Sequence, residues 1–235
     1  MLFDKVCYNS FMEYANVKKG SFIARPNRFI AHVALDGQTE ICHVKNTGRC
    51  RELLTPGAAV YVTGSDNPAR KTKYDLIAVE KGQLLINMDS QAPNAAAKEA
   101  LPRLLPGLTF LKPECKYGDS RFDFYAEANR ERWFIEVKGV TLEDGGVARF
   151  PDAPTLRGAK HLRELCRAVE EGCRAMALFV IQMKGVTRFE PNAATDPAFA
   201  EALRAAASAG VQVRAMDCLV TPESMEIDKD IEVCL

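Results

Sequence analysis

The stretches SRFDFYAE (residues 120–127) and ERWFIEVKG (residues 131–139) decide the fold of the second half of this chain. Both are apolar and strand-like, and the short polar segment between them is typical of a turn. In the second stretch Glu136 and Lys138 share a strand face with Phe134, and apolar residues occupy the opposite face. Burying an unpaired charge is costly, so these two groups are either exposed at an edge or required for function. The two stretches therefore predict a β-hairpin with charged groups inside apolar strands.

A second acidic residue faces Glu136 across the predicted hairpin. Asp123 lies between Phe122 and Phe124, and pairing of the two strands would put both acids on one sheet face, within reach of a single cation. Two carboxylates with a backbone carbonyl and water are oxygen ligands suited to Mg²⁺ or Mn²⁺. Lys138 would stabilise negative charge on an attacked phosphate or hold a water nucleophile. The alternative is a surface ion pair of Glu136 and Lys138, which contributes little to stability.

The Glu-x-Lys triplet is not diagnostic by its sequence alone. With 31 acidic residues and 14 lysines in 235 positions, roughly two acid-x-Lys triplets are expected by chance, and the chain contains two. The other triplet, at residues 114–116, has no acid on a preceding strand, whereas Glu136 has Asp123. The paired strands, and not the triplet, therefore indicate the site.

Composition restricts the class of protein. The net charge is zero overall, but residues 1–90 carry a net charge of +3, which permits a nucleic-acid partner without requiring one. None of the eight cysteines forms a C-x-x-C pair, so a structural zinc site is not expected. The sequence shows neither a secretory signal nor an apolar run long enough to cross a membrane. We therefore expect a soluble, cytoplasmic protein with reduced thiols and no membrane partner.

Two domains are predicted from the spacing of strands and helices. Residues 1–88 contain short strands separated by turn signals such as Asp36-Gly37 and Pro56-Gly57, which favours a small β-barrel of the oligonucleotide-binding (OB) type. Residues 89–235 follow the order helix, three strands, helix, strand, helix, strand, which predicts a mixed-sheet α/β domain with helices on its faces. The predicted fold class is an all-β domain followed by an α/β domain.

The predicted barrel carries candidate nucleic-acid contacts. The turn formed by Asn46, Thr47, Gly48 and Arg49 would offer backbone amides and a guanidinium to a phosphate; the alternative is a plain turn with Gly48 at positive φ. Further basic residues would either extend a face for the phosphate backbone or be scattered, solvated charges; these are Arg25, Arg28, Lys45, Arg51, Arg70, Lys71 and Lys73. Three aromatic residues would either stack on bases or fill the barrel core, namely Phe22, Phe29 and Tyr61.

A helix predicted at residues 155–171 carries polar residues on a face that would approach the two acids. Arg157 and His161 lie one helical turn apart, with Lys160 adjacent, and we expect the three to contact the scissile phosphate. The alternative is that His161 is an ordinary surface residue. Gln182 ends the apolar strand that follows, where it would either orient DNA or cap the strand.

The order of the second domain resembles the PD-(D/E)XK nuclease superfamily, in which an Asp on the second strand and a Glu-x-Lys on the third form the metal site. In some members an acid on the first helix joins the site. For this chain the resemblance implies Glu99 as a further metal ligand.

Longer strings are similar to the sugar fermentation stimulation protein A family of bacteria and archaea. They include HVKNTGRCRELLTPGA (43–58), YGDSRFDF (117–124) and ARFPDAPTLRGAKHLREL (148–165), in order along nearly the whole chain. The resemblance implies an OB-type barrel followed by a nuclease-like domain, DNA binding without strong sequence preference, and a regulatory link to the use of sugars, notably maltose. One departure is HVKNTGRC, where a leucine- or proline-like pair more often precedes the asparagine.

Taken together, these features predict a DNA-binding protein with a nuclease-type site for Mg²⁺ or Mn²⁺. If the site is active, Asp123 and Glu136 hold the cation and Lys138 assists the water that hydrolyses a phosphodiester. Two alternatives stay open, a DNA-binding regulator whose acids are structural and an RNA-binding module. The oligomeric state is not predicted, and a homodimer is one alternative.

Overall fold

A β-barrel occupies the first part of the chain. The computed structural model describes residues 12–65, 67–118 and 120–235. The barrel strands are β1 (Val17–Asn27), β2 (Ile30–Leu35), β3 (Gln38–Val44), β4 (Ala59–Gly64), β5 (Tyr74–Lys81) and β6 (Leu84–Asn87). β1 pairs with β2 and β4, β4 pairs with β5, and a parallel pairing of β3 with β5 closes the barrel. This strand order confirms the predicted OB-type fold.

Local sequence accounts for the barrel hairpins. Every second residue of β2 is buried, because successive side chains of a strand point to opposite faces. Asp36 and Gly37 have φ angles of 52° and 79° and form the two-residue turn that joins β2 to β3. Such a turn matches the right-handed twist of the strands and favours Asp-Gly.

The second domain consists of three helices and one large sheet in the part of the chain that the structure describes. The helices are α1 (Ala92–Leu104), α2 (Leu156–Glu170) and α3 (Pro197–Ser208). The strands are β7 (Leu108–Tyr117), β8 (Ser120–Ala128), β9 (Glu131–Val140), β10 (Leu142–Asp144), β11 (Val147–Phe150), β12 (Arg174–Ile181), β13 (Arg188–Pro191), β14 (Gln212–Val220) and β15 (Met225–Val233).

The sheet is mixed and has helices on both faces, as predicted. Its strand order is β10-β11-β13-β15-β14-β12-β9-β8-β7, and β9, β12 and β14 run parallel to one another. On one face, α2 and α3 pack on residues such as Phe134 and Phe179. On the other face, α1 packs on residues such as Trp133 and Ile135. Alternate residues of β9 therefore face α2 and α1, which puts Glu136 on the α2 side.

Four strands were not predicted, namely β10, β11, β13 and β15. The sequence predicted that the strand at residues 211–219 finishes the domain, but β15 follows it and pairs with β14. β15 alternates apolar and acidic residues except at Lys229, which is typical of a strand with one solvated face. The acidic C-terminal segment is therefore part of the sheet.

The segment before the barrel crosses to the second domain. The backbone N–H of Tyr14 donates to Glu223 (2.7 Å) and that of Met225 donates to Met12 (3.2 Å). The Tyr14 hydroxyl also accepts a hydrogen bond from Asn87 at the end of β6 (3.0 Å). We call residues 12–14 the terminal clamp, because they tie the barrel to the turn between β14 and β15.

Across the described ranges, no helix combines the length and the apolar character needed to cross a lipid bilayer.

Candidate functional site

The two strands of the predicted hairpin separate at Asp123. The paired residues of β8 and β9 end at Phe124↔Ile135, one position before Asp123. Phe122 packs in the core beneath α2, whereas Phe124 packs in the core beneath α1. Residues two apart share a face in a regular strand, so β8 changes course at Asp123. The result is a gap between β8 and β9 beside Glu136.

The carboxylate of Asp123 fills this gap. Its Oδ2 accepts a hydrogen bond from the backbone N–H of Val137 (2.8 Å), and its Oδ1 accepts one from the amide of Asn94 on α1 (2.8 Å). Burial, and then the negative charge of Glu136, raise the pKa of Asp123, although both hydrogen bonds stabilise its charged form. Asp123 and Glu136, the acid pair, therefore repel each other in a poorly solvated place. The sequence did not predict a role for Asn94.

Glu136 is the more buried member of the acid pair, with 3% of its surface exposed. Its Oε1 accepts hydrogen bonds from Lys138 Nζ (2.5 Å) and from His161 Nδ1. Burial raises the pKa of Glu136, but the hydrogen bond from His161 and the charge of Lys138 outweigh it and hold that pKa below its ordinary value. Oε2 is buried without a hydrogen-bond partner among the described residues. Because a buried anionic oxygen without a partner is unfavourable, Oε2 is suited to a cation.

His161 lies beneath the acid pair and is 4% exposed. Its Nε2 accepts a hydrogen bond from Arg157 Nε (3.3 Å) while its Nδ1 donates to Glu136, which corresponds to the tautomer with hydrogen on Nδ1. The expectation that His161 contacts a phosphate is wrong, because the ring is buried and both nitrogens are used. His161 instead holds Glu136 in place, and Arg157 holds His161.

Glu99 lies away from the acid pair, and the expectation that it is a metal ligand is also wrong. Burial raises the pKa of Glu99, followed by the charges of Glu226 and Glu13, and the backbone N–H of Met12 donates to its carboxylate. These neighbours belong to the terminal clamp and to β15. Glu99 lies five positions after Asn94 in the helix, which is a rotation of about 140° around α1.

The acid pair offers oxygen ligands from two adjacent strands. In the described ranges, no group of three or more His, Cys, Asp or Glu side chains is arranged to hold a metal ion. A hard cation such as Mg²⁺, Mn²⁺ or Ca²⁺ completes its coordination with backbone oxygens, water or substrate, whereas a structural zinc site needs four protein ligands. The residues present therefore fit a hard divalent cation and do not fit structural zinc.

The turn at residues 46–49 is shaped by hydrogen bonds within the barrel. Arg25 donates from its two terminal nitrogens to four backbone carbonyls (2.7–2.9 Å), those of Arg28, Asn46, Gly48 and Arg49. Asn46 Oδ1 accepts the N–H of Gly48 (2.8 Å). The predicted direct phosphate contacts of Arg25 and the Gly48 amide are therefore corrected, because these groups are used within the turn, whereas the contact of Asn46 stays a prediction.

Gly48 is needed for a close contact between the domains. Its φ is not positive, contrary to the plain-turn alternative. A Cβ at this position would lie 2.3 Å from Asp152 Oδ2, so a larger residue would force the Asp152 side chain to move. The turn thus contacts the second domain directly.

A cleft of about 430 Å³ opens beside this turn. We call it the arginine cleft; it is lined by Arg25, Asn27, Arg28, Thr47, Gly48, Arg49, Cys50, Arg51, Leu54 and Ala153. The side chains of Arg28, Arg49 and Arg51 are exposed, as is Thr47. Phe29 is 49% exposed, and the Arg28 guanidinium lies 5.7 Å from the centre of its ring. Cations and an accessible aromatic ring thus lie side by side here.

Other predicted contacts of the barrel are engaged elsewhere. Lys45 binds Asp89 (2.7 Å) and Arg70 binds Asp75, so both cations are neutralised locally. Phe22 is a core residue, which corrects its proposed stacking role.

A second cleft, of about 390 Å³, lies at the first turns of α2. We call it the helix cleft; it is lined by Lys116, Ser120, Arg121, Arg157, Lys160 and His161. Arg157 and Lys160 are exposed there, and Lys160 lies 3.8 Å from the buried Glu164. His161 connects this cleft to Glu136. Phosphate contacts by Arg157 and Lys160 stay predictions that this position allows.

Gln182 joins the two domains. Its Nε2 donates to the carbonyls of Asn87 (3.1 Å) and Asp89 (3.2 Å) and to the side chain of Asn87 (3.0 Å). Gly139 makes room for it, because a Cβ there would lie 2.5 Å from Gln182 Oε1. Gln182 is 2% exposed, so the expectation that it orients DNA is wrong.

Comparisons with known proteins cover both domains. The family model of the SfsA N-terminal OB domain matches residues 23–88, and that of the sugar fermentation stimulation protein RE domain matches residues 91–224. Relatives named sugar fermentation stimulation protein homolog include one from Ruminiclostridium cellulolyticum (55% identical) and one from Clostridium beijerinckii (54% identical), each over 226 residues that cover 95% of this chain and 100% of the relative.

A solved structure agrees with these matches. The structure of Pyrococcus furiosus SfsA in complex with Ca²⁺ is 31% identical, with a TM-score of 0.85, and the match covers 96% of this chain and 99% of that chain. The chain therefore belongs to the sugar fermentation stimulation protein family.

Proposed function

We propose that the chain binds DNA through the phosphate backbone and hydrolyses phosphodiester bonds at the acid pair. One observation carries the proposal: Glu136 presents a buried, unpartnered carboxylate oxygen next to Asp123, with the Lys138 ammonium on the same strand face. A bound cation would give this oxygen a partner and would relieve the repulsion between the two carboxylates.

Asp123 and Glu136 would hold one divalent cation, Mg²⁺ or Mn²⁺. When bound, the cation supplies Lewis-acid polarisation of a phosphoryl oxygen and lowers the pKa of water. Calcium in the relative from Pyrococcus furiosus supports a divalent cation in this family. Within the chain itself, His161 fixes one oxygen of Glu136, and Asn94 with the Val137 N–H fixes Asp123. Both carboxylates are therefore oriented before any ligand arrives.

Lys138 is the candidate group for the reaction itself. Its ammonium is held on Glu136 and has further N–H donors for a phosphate oxygen or an attacking water. Stabilising the negative charge that develops on the phosphoryl group would speed formation of a P–O bond to water and loss of the P–O bond to the sugar.

The phosphate backbone would be bound by cations on both domains. The arginine cleft contributes Arg28, Arg49 and Arg51, and the helix cleft contributes Arg157 and Lys160. Because the contacts are made by cations to phosphates, affinity should fall steeply with salt and vary little with sequence.

A second candidate is a DNA-binding regulator that holds a cation without cutting. The observation in its favour is that the structure, in the ranges it describes, arranges no third acid or His as a metal ligand. A regulatory role in the use of sugars, which the names of the relatives suggest, would then rest on DNA binding alone.

The test is cleavage of supercoiled plasmid and of single-stranded DNA with Mg²⁺ or Mn²⁺. The parent is compared with Glu136→Gln and Lys138→Ala, and with Glu114→Gln as a control from the other acid-x-Lys triplet. We expect the parent and the control to cleave and the two site variants to lose at least about 100-fold in rate. Binding without cleavage in all four proteins would favour the regulator, and absence of DNA binding would refute both functions.

Cation binding is measured separately by calorimetry with Ca²⁺. We expect the parent and Glu114→Gln to bind Ca²⁺, and Asp123→Asn and Glu136→Gln to lose it. Equal affinity for Ca²⁺ in all four proteins would show that the acid pair is not the cation site.

A further inference from the structure

Leu156 is the first residue of α2 and is 91% exposed. The other large hydrophobic side chains that the structure describes as exposed range from 40% to 52%. A single exposed leucine is common on protein surfaces and has no meaning by itself. The position of Leu156 relative to the two clefts is therefore what indicates a function for this side chain.

The backbone at Leu156 is held rigidly. Thr155 Oγ1 accepts the N–H of Gly158 and caps the helix (3.0 Å), while the Thr155 N–H donates to Asp196 (2.7 Å). Asp196 also caps α3 through the N–H of Phe199 (2.9 Å). The start of α2 is therefore joined to α3 through Asp196. Leu156 projects from a stretch of backbone that these hydrogen bonds hold in place.

Leu156 lies on the ridge between the two cationic clefts. Ala153 lines the arginine cleft and Arg157 lines the helix cleft, so residues 153–157 separate them. Among the described lining residues, neither cleft contains an aspartate or a glutamate. The chain thus presents one fully exposed apolar side chain between two positively charged surfaces.

Nucleic acid is the partner whose chemistry matches this arrangement. Its phosphates suit the two clefts, and its base stack is the apolar surface that runs between phosphate backbones. Proteins that bend DNA insert leucine and similar side chains between base steps in this way. An ion or a metabolite bound in either cleft would leave Leu156 in water.

We propose that Leu156 is a wedge that enters the base stack, and that the preferred substrate is duplex DNA with a mismatched or unpaired base step. The inference rests on the proposed DNA binding and deepens it by naming the substrate class. A weakened step is preferred because opening it costs less than opening a paired one. The Leu156 wedge would hold the duplex open on the ridge, beside the helix cleft that leads through His161 to Glu136.

The experiment uses three probes with the full chain, without divalent cation so that no cleavage occurs. They are a perfect 20-base-pair duplex, the same duplex with one mismatch, and one of its strands alone. The mismatch is flanked by 2-aminopurine, whose fluorescence rises on unstacking. The parent is compared with Leu156→Ala, and with Leu219→Ala as a control for another exposed leucine.

We expect the parent and Leu219→Ala to bind the mismatched duplex about tenfold more tightly than the perfect one and to raise the fluorescence. Leu156→Ala should lose both effects and bind the single strand as the parent does. Unchanged preference and fluorescence in Leu156→Ala would overturn the wedge while leaving DNA binding intact. Absence of binding to all three probes by the parent would instead overturn the proposed function. An RNA hairpin is then tested separately as a fourth probe, and tighter binding of this hairpin than of either duplex would overturn the DNA substrate class.

Discussion

Replacing His161 by alanine tests the most buried contact of the site. Glu136 and His161 are 3% and 4% exposed, and the imidazole lies edge-on to Phe122 at 6.3 Å. Loss of a hydrogen bond to a buried charged group costs about 1.5–3 kcal/mol. The space left by the imidazole adds about 1 kcal/mol at ~24 cal/mol per Å³ of cavity. We therefore expect His161→Ala to lower the free energy of unfolding by about 3 kcal/mol.

Urea unfolding measures this loss, and for a chain of this size the melting temperature should fall by roughly 6–12 °C. The control is His32→Ala on β2, a half-buried histidine away from the acid pair, which should cost less than about 1 kcal/mol.

A double-mutant cycle identifies the cause. The loss of stability in His161→Ala is caused either by the unpaired charge of Glu136 or by the space left behind. If the charge is the cause, Glu136→Gln should recover part of the free energy of unfolding in the His161→Ala background, because leaving a neutral amide unpaired costs less than leaving a carboxylate unpaired. The double variant should then be more stable than His161→Ala alone. A double variant that is less stable by the sum of the two single losses would refute the reasoning, since the histidine would then act only by filling space.

Three further predictions concern a contact at the acid pair, a contact between the domains and an ion pair in the barrel. Asn94→Ala should weaken Ca²⁺ binding about tenfold, because outer hydrogen bonds orient ligating carboxylates; calorimetry would show this, and unchanged affinity would contradict it. Gly48→Ala should lower the free energy of unfolding by about 1–3 kcal/mol through its clash with Asp152, and Asp152→Ala should restore most of it; failure of the rescue would place the strain elsewhere. Burial raises the pKa of Asp75, but Arg70 and a neighbouring lysine outweigh it and hold the pKa below 3.8. Its stabilising contribution is therefore complete at neutral pH and is lost as the pH falls through that lowered value. In urea unfolding, Asp75→Asn should be less stable than the parent at pH 7, and this difference should narrow as the pH falls below the ordinary pKa of an aspartate; a difference that is constant with pH would argue against the ion pairs.

Alternation of apolar and polar residues predicted the hairpin that carries Asp123 and Glu136, because each strand has a period of two. Such a pattern could not predict the gap between β8 and β9 at Asp123. It depends on Phe122 and Phe124 packing on different faces of the sheet, which only the two helix layers decide. The sequence thus indicated which residues meet, and tertiary packing decided how Asp123 is oriented.

Helix phase explains the errors in the candidate site. Glu99 was chosen for its charge, yet the buried alanines of α1 put Asn94, and not Glu99, beside Asp123. His161 lies one turn before the buried Leu165 and one position before the buried Leu162, so its burial was readable from the apolar stripe of α2. Its hydrogen bond to Glu136 was not readable, because it joins elements 25 residues apart.

The sequence pattern of β15 would have allowed this strand to be predicted. Along β15 the even positions from Glu226 onwards are acidic and the odd positions are mostly apolar. This alternation is typical of a strand with one solvent-exposed face. The prediction that the strand at residues 211–219 finishes the domain missed this period. The role of Gln182 between the domains, in contrast, could not be predicted. No local sequence pattern distinguishes a residue that contacts the other domain from one that only ends a strand.

The terminal clamp makes the order of synthesis matter. Residues 12–14 are synthesised before the barrel, whereas their partners Glu223 and Met225 follow after most of the second domain. At ordinary translation rates this separates the two halves of the contact by roughly 10–40 s. Throughout that interval residues 12–14 lack their backbone partners on the second domain, although Tyr14 can already contact Asn87 of the barrel. The backbone contacts of the terminal clamp therefore form only after the turn between β14 and β15 has been synthesised, later than the contacts of Gln182 with the barrel.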